Sequence, residues 1–266
     1  MERKEFIKVV GIGVLGMTVA PAAYARGFKK RSDYKTCKEA WDSLCGNIGK
    51  TYKTDCFTYV HPFSKTTNVL IYGDSISIKY GYKVREELDG KANVIRLFKN
   101  GGSSHDFIPN MNKMNETMFQ PHLKKGWKFN WDLIHFNVGL HDLKYLKGKH
   151  LNKAGTQVST IDIYQKNLDG ICRYLKSNYP KAKLIFATTT PVPANAKGRF
   201  KGDSIKFNMA ALEVLRNHPE IVINDLYAYT FPHMEEWAQE PGNVHYNELG
   251  FTNQGIEVAR VIRKYL

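Results

Sequence analysis

The chain has 266 residues, of which 42% are hydrophobic and 24% are charged. This balance is typical of a globular protein with a sizeable core, and it excludes disordered, collagen-like and coiled-coil chains. The charge is less ordinary, because 39 lysines and arginines outnumber 25 aspartates and glutamates and give a net charge of +14. Net charge bears on partners and solubility, not on the fold.

The first 25 residues have the layout of a secretory signal peptide. A short charged start precedes an apolar stretch from Val9 to Val19 and a small-residue ending, Ala23-Tyr24-Ala25. The apolar stretch is shorter than the roughly 20 residues that a membrane span needs. Arg3-Lys4 resembles a twin-arginine motif with lysine in second place, so both export routes stay open. We expect an exported protein, periplasmic or extracellular, without a membrane span after cleavage and with a net charge of +13.

Residues 26–67 form a basic, cysteine-containing extension ahead of the main domain. It holds Cys37, Cys45 and Cys56, whereas Cys172 lies on a predicted helix. Because cysteines of exported proteins tend to pair, we expect a disulfide that ties the extension to itself or to the domain, with its connectivity open. A zinc site is the weaker alternative, since no CxxC or HxxxH spacing occurs. The basic run at the start is interpreted as a solvated tail or, alternatively, as a contact to a polyanion.

From residue 68 to residue 266, short apolar runs alternate with helical periodicities. Runs typical of buried strands fall at 69–72, 94–98, 133–138, 184–188 and 221–224. Apolar spacings of three and four predict helices over 76–88, 161–175 and 205–215, and a last helix from about residue 253. Alternating strands and helices predict an α/β protein with a five-stranded, mostly parallel sheet between two helical layers. Active groups then lie in loops at the carboxyl ends of the strands.

The first predicted strand runs directly into Gly73-Asp74-Ser75 and a helix. A serine on such a turn has an exposed hydroxyl, and the N–H groups of the helix N-terminus stabilise negative charge beside it. Serine and aspartate are also the preferred helix caps, which is the alternative interpretation. A second Gly-Asp-Ser, at residues 202–204, follows a long loop, and we interpret it as a cap only.

Three further segments favour a catalytic site around Ser75. Asn100-Gly101-Gly102-Ser103 follows the second strand, and its small residues let a backbone N–H approach a substrate oxygen. Gly139-Leu140-His141-Asp142 follows the third strand, and Asn243-Val244-His245 offers a general base in the last loop. One edge of the sheet therefore collects all four segments.

In this order the segments resemble the GDSL or SGNH hydrolases over residues 68–266. More narrowly, NVLIYGDSISIKYGYKVREEL, HFNVGLHDLK and NVHYNELG resemble secreted, carbohydrate-associated bacterial members. The resemblance implies a flavodoxin-like three-layer sandwich and an ester hydrolase that needs no metal or organic cofactor. It makes Ser75 the nucleophile, His245 the base, Gly102 the oxyanion-hole glycine and His141 a further oxyanion donor.

Two positions depart from the family pattern. His141 stands where the family has the asparagine of Gly-x-Asn-Asp, although an imidazole N–H also donates hydrogen bonds. Gly242 stands where the family has the aspartate of Asp-x-x-His, so Glu240 or a backbone carbonyl is expected to orient His245. Asn137 is a second candidate oxyanion donor.

The sequence thus predicts a secreted serine esterase that removes small O-acyl groups, acetyl first of all, from a carbohydrate. The positive charge suits an anionic polysaccharide. The alternative is a non-hydrolytic or catalytically impaired glycan-binding protein on the same fold, which His141 and Gly242 motivate. Nucleic-acid binding is not expected, because it rests on charge alone and no recognition motif accompanies the charge.

Overall fold

The computed structural model of the protein describes residues 36–46, 55–62 and 65–266. The expected signal peptide, the basic run at residues 26–35 and part of the cysteine-containing segment lie outside the described residues. The described residues belong to one compact unit. Among their helices, none is both long enough and apolar enough to cross a membrane.

A five-stranded parallel sheet forms the centre of the fold. The described strands are, in chain order, β1 (Thr67–Tyr72), β2 (Ala92–Arg96), β3 (Leu133–Phe136), β4 (Tyr145–Lys147), β5 (His150–Leu151), β6 (Thr156–Gln157), β7 (Lys183–Ala187) and β8 (Val222–Asn224). The central sheet has the order β2-β1-β3-β7-β8, with every neighbouring pair parallel. This is the flavodoxin-like order, and it confirms the predicted fold class. The chain reverses its direction of winding at β1 and β3, which opens a crevice at their carboxyl ends.

Helices cover both faces of this sheet. They are α1 (Cys37–Cys45), α2 (Ser75–Glu87), α3 (Phe107–Met118), α4 (Ile161–Asn178), α5 (Asp203–Leu215), α6 (Leu226–Thr230), α7 (Met234–Trp237) and α8 (Glu248–Arg263). Helix α2 packs against α8, and α4 packs against α3 and α5. Helix α8 begins five residues before the expected position, because the Asn247 side chain caps it by accepting from Gly250 N at 2.9 Å.

Helix α1 shows that part of the predicted extension belongs to the core. Thr36 and Glu39 form a capping box at its start, which satisfies two backbone donors. The Trp41 indole is buried, donates to Phe57 O at 2.7 Å and lies 5.5 Å from the Trp127 ring. The side chains of α1 therefore join the same hydrophobic cluster as the sheet.

The predicted disulfide is not present among the described residues. Cys37, Cys45 and Cys172 are buried thiols. Burial raises the pKa of Cys45 and of Cys172 to about 12. Thiols of this kind stay protonated near neutral pH and are poor nucleophiles.

Strands β4, β5 and β6 form a small antiparallel sheet between β3 and α4, in the order β5-β4-β6. This sheet is not predicted by the sequence pattern, because its residues are mostly polar and carry several lysines. Tyr145 N donates to Gly198 O at 2.7 Å, so the small sheet rests on the loop that follows β7.

Candidate active site

Ser75 is the first residue of α2, directly after β1. Asp74 caps the helix, since its Oδ1 accepts from Ile76 N at 2.9 Å. The Ser75 hydroxyl is half-buried, and its Oγ lies 2.9 Å from Nε2 of His245. The structure thus joins the serine of the first loop to the histidine of the last one.

Asn243 holds the opposite side of the His245 ring. Its Oδ1 lies 2.8 Å from His245 Nδ1 and also accepts from the His245 backbone N at 3.0 Å. Its Nδ2 donates to Glu240 Oε1 at 2.9 Å. The three contacts agree on one orientation of the amide, with the oxygen toward the imidazole and the nitrogen toward the carboxylate.

This orientation fixes the tautomer of His245. An amide oxygen only accepts, so Nδ1 carries the ring proton and Nε2 presents its lone pair to the Ser75 hydroxyl. Burial lowers the pKa of His245, and the positive charges of Arg199 and Lys79 lower it further. The ring is therefore neutral near pH 7, which is the form that accepts a proton from serine.

Burial and the neighbouring Lys144 hold His141 in a neutral form. Lys144 Nζ lies 3.1 Å from His141 Nδ1. An ammonium group only donates, so Nδ1 accepts and the ring proton is on Nε2. Burial, together with the charges of Lys144 and Arg199, lowers the pKa of His141 to about 3. His141 is thus a neutral Nε2–H donor.

The loop that carries Gly102 packs directly on the turn before Ser75. Gly101 N donates to Gly73 O at 2.9 Å, and the Tyr72 hydroxyl donates to Gly101 O at 2.8 Å. Gly102 has a φ of +72°, which favours glycine. Its N–H donates to Asn100 Oδ1 at 3.0 Å, so a substrate oxygen would have to displace that side chain to use this donor.

Arg96 stabilises the same turn through hydrogen bonds from its buried side chain. Its side chain is fully buried at the end of β2, where its guanidinium donates to Gly73 O at 2.7 Å and to Asp74 O at 2.9 Å. It also donates to Leu97 O at 2.8 Å, to Lys99 O at 2.6 Å and to the Ser77 hydroxyl. One cation therefore fixes the backbone of the two loops that follow β1 and β2.

Asp142 joins the second and third loops. Its buried carboxylate accepts from Ser104 N at 2.9 Å, from the Ser104 hydroxyl and from Ser159 Oγ at 2.8 Å. Asn137 has a structural role of the same kind, because its Nδ2 donates to Ala187 O at 2.7 Å. Among the described residues, no group of three or more His, Cys, Asp or Glu side chains converges as a metal site.

Many solved structures resemble this fold. The lipase/acylhydrolase from Enterococcus faecalis matches with a TM-score of 0.56 at 17% identity, over 75% of this chain and 96% of that one. A member of the lipolytic G-D-S-L family from Veillonella parvula matches with a TM-score of 0.54 at 16% identity, over 75% and 100%. An acetylxylan esterase from Geobacillus stearothermophilus matches with a TM-score of 0.51 at 14% identity, over 76% and 96%. No protein-family model and no curated protein matches the sequence.

These likenesses cover nearly the full length of each neighbour. The chain has the fold of the GDSL (SGNH) hydrolases. Within this SGNH fold, Ser75 and His245 come into hydrogen-bond contact, His141 lies in the loop after β3, and Gly102 lies in the loop packed on the Ser75 turn.

Three residues of this candidate site were not predicted from the sequence, namely Asn243, Lys144 and Arg96. The acceptor for His245 is neither Glu240 nor a backbone carbonyl, and Glu240 instead orients the amide that does accept. The signal for Asn243 was present as an asparagine two residues before the histidine. The family pattern instead predicts an acid three residues before the histidine, where this chain has Gly242.

The second Gly-Asp-Ser is different in structure. Gly202 is the N-cap of α5, so the interpretation of Asp203 and Ser204 as caps is wrong. Ser204 is buried within the first helical turn, where its Oγ accepts from Val192 N at 3.3 Å. It provides a matched control for Ser75.

Proposed function

We propose that the protein is a secreted serine esterase that removes small O-acyl groups, acetyl first of all, from a carbohydrate. The observation that carries this proposal is the continuous chain of contacts from Ser75 Oγ through His245 to Asn243, with distances of 2.9 and 2.8 Å. A nucleophile, a neutral base and an orienting acceptor in this order are the parts of a Ser-His-Asn triad.

In the proposed reaction, Ser75 Oγ attacks the carbonyl carbon of the ester as its proton passes to His245 Nε2. The Asn243 oxygen accepts from Nδ1–H of the imidazolium that forms. The Ser75 N–H, at the N-terminus of α2, and the Nε2–H of His141 stabilise the oxyanion, and the Gly102 N–H joins them when the oxyanion displaces Asn100.

The intermediate then collapses as the sugar oxygen takes the proton from His245 Nε2 and leaves as a hydroxyl. Water adds to the acyl-enzyme by the same route, giving its proton to His245, and the free acid and the Ser75 hydroxyl are restored. Every proton that leaves Ser75 or water thus passes through one imidazole nitrogen.

The substrate class is supported by two kinds of observation. Acetylxylan esterases are among the solved structures that resemble the chain. The net charge, which is +13 once the first 25 residues are removed, favours an anionic polysaccharide, which is our proposed substrate. Export to the periplasm or the extracellular space is proposed on the first 25 residues of the sequence alone.

The test compares p-nitrophenyl acetate hydrolysis by the wild type, Ser75→Ala, His245→Ala and the matched control Ser204→Ala. We expect the first two variants to lose about 10³-fold or more in kcat, whereas Ser204→Ala stays close to the wild type. A fluorophosphonate probe should add one adduct, located on Ser75 by peptide mass spectrometry. Equal slow hydrolysis by the wild type and Ser75→Ala, with a glycan still bound, would reject the esterase and leave the glycan-binding alternative.

A further inference from the structure

A lysine-rich wall borders the candidate active site. It consists of residues 144–157, which hold the small sheet β4–β6, and of residues 194–201 in the loop after β7. We call these two segments the basic wall. They contain no aspartate or glutamate, but they carry seven basic side chains, namely Lys144, Lys147, Lys149, Lys153, Lys197, Arg199 and Lys201.

The basic wall is fixed beside the catalytic residues at two places. On the side of β3, Lys144 Nζ lies 3.1 Å from His141 Nδ1, and Arg199 Nε donates to Leu140 O at 3.2 Å. On the side of the last loop, the Asn195 carbonyl packs so closely on Gly242 that a Cβ there would lie 3.2 Å from it. The wall therefore spans the crevice from the His141 loop to the loop that holds His245.

Most of the positive charge on the wall has no acidic partner. Five of its lysines are exposed. Within the described part of the chain none of them forms an ion pair, namely Lys147, Lys149, Lys153, Lys197 and Lys201. Lysines elsewhere do find carboxylates, as Lys83 and Lys176 do. Like charges held together repel one another, and an anionic ligand relieves that repulsion.

An aromatic ring stands within this charged surface. Phe200 is 42% exposed and meets the Tyr145 ring edge-on at 5.1 Å. Lys153 Nζ lies 5.3 Å from the centre of the Phe200 ring. An exposed apolar ring offers a stacking surface to the C–H face of a sugar, and an adjacent ammonium group pairs with an acidic substituent on that sugar.

We infer that the basic wall is the binding subsite for an anionic polysaccharide, a chain of sugar rings that carry carboxylate or sulfate groups. The subsite holds the polymer along the crevice so that a neighbouring O-acyl group reaches Ser75. This inference rests on the proposed function, and it adds where on the protein the polymeric substrate binds.

The test uses two quadruple variants of equal charge change. The wall variant is Lys149→Gln, Lys153→Gln, Lys197→Gln and Lys201→Gln. The control variant is Lys91→Gln, Lys128→Gln, Lys181→Gln and Lys264→Gln, whose sites precede strands or end α8 and so lie at the opposite edge of the sheet. The substrates are acetylated polygalacturonate, acetylated xylan, which is neutral, and p-nitrophenyl acetate.

For the wild type at low salt, kcat/KM should be higher on the acetylated polygalacturonate than on the acetylated xylan, and added salt should reduce this preference. In the wall variant, the ratio of kcat/KM on polygalacturonate to that on p-nitrophenyl acetate should fall by about 4- to 600-fold, since each of the four exposed ion pairs contributes a factor of roughly 1.4 to 5. The control variant should change this ratio less than about 2-fold. Equal ratios in the two variants would overturn the inference.

Binding is measured separately, by affinity electrophoresis of the Ser75→Ala protein, with and without the wall substitutions, in gels that contain polygalacturonate or dextran sulfate. If the polysaccharide retards the Ser75→Ala protein and the wall substitutions abolish this retardation, the subsite is supported even when no variant hydrolyses an ester. Failure of the proposed esterase activity is therefore distinguishable from failure of the subsite. Stronger retardation by polygalacturonate would identify carboxylate as the preferred acidic group, and stronger retardation by dextran sulfate would identify sulfate. Competition by single-stranded DNA as strong as that by the polysaccharide would overturn the assignment to a glycan.

Discussion

Replacing Asn243 by aspartate tests whether the acceptor on Nδ1 sets the basicity of His245. In the present site a neutral amide accepts from His245 Nδ1 at 2.8 Å. A carboxylate at the same place would stabilise the imidazolium that forms when Ser75 loses its proton. Because the Glu240 carboxylate lies beside this position, Asn243→Asp is best combined with Glu240→Gln, whose amide then donates to the new acid.

The expected magnitude follows from the hydrogen bond that changes. Bonds with an ionised partner contribute about 1.5–3 kcal/mol, against about 0.5–1.5 kcal/mol for neutral pairs. A difference of about 1.4 kcal/mol corresponds to a 10-fold gain in kcat/KM, and it raises the pKa of His245 by about one unit. The gain should therefore appear at pH 8 and shrink below the raised pKa, where the base is protonated.

The assay is kcat/KM for p-nitrophenyl acetate between pH 5 and pH 9. Asn243→Leu removes the acceptor and should lose about 10²- to 10⁴-fold, because the correct tautomer is no longer held. Asn178→Asp, an exposed change of the same kind at the end of α4, should have no effect on activity. The role of Asn243 would be refuted if the double variant had a lower kcat/KM than the wild type at pH 8 and an unchanged pKa on the acid side of its pH profile.

Three further outcomes are expected. Because burial lowers the pKa of His141 to about 3, its ring stays neutral above pH 5, and only one group should titrate on the acid side of the kcat/KM profile, in the wild type and in His141→Asn alike. A wild-type profile with two titrating groups, one of which disappears in His141→Asn, would contradict this. Arg96→Leu should lower the free energy of unfolding in urea by about 3–5 kcal/mol, because several buried carbonyls lose their donor, and a loss under 1 kcal/mol would be inconsistent with that role. Burial lowers the pKa of His135 to about 3, so its neutral form stabilises the fold above pH 6.5 and this contribution is lost as the pH falls. His135→Phe should therefore reduce the slope of stability between pH 6 and pH 4 by about 1.4 kcal/mol per pH unit, and parallel slopes would count against it.

The fold was predictable because its signals are local and redundant. Buried parallel strands read as continuous apolar runs, and their alternation with helical periodicities allows few other architectures. Polar strands carry no such signal, which is why the strands within residues 145–157 were not predicted. The helix Phe107–Met118 was missed although its buried residues Phe107, Met111, Met114 and Met118 have helical spacing.

The site was predictable only in part, because its contacts depend on loop geometry. Ser75 and His245 stand out by residue type and by position at strand ends. Asn243 depends on the turn that aims an amide back at the following ring, and that turn is built by the bond to Glu240. Arg96 gave no signal, since an arginine at a strand end usually points to solvent.

The contact between Trp41 and Trp127 imposes an order on folding. Helix α1 is synthesised early, yet the Trp127 ring on which it packs belongs to a segment made much later. Trp41 therefore lacks this aromatic partner until residue 127 has been synthesised. A chain shortened to begin at residue 68 would lack α1, and the face of the Trp127 ring that Trp41 covers would become an exposed apolar surface that favours aggregation.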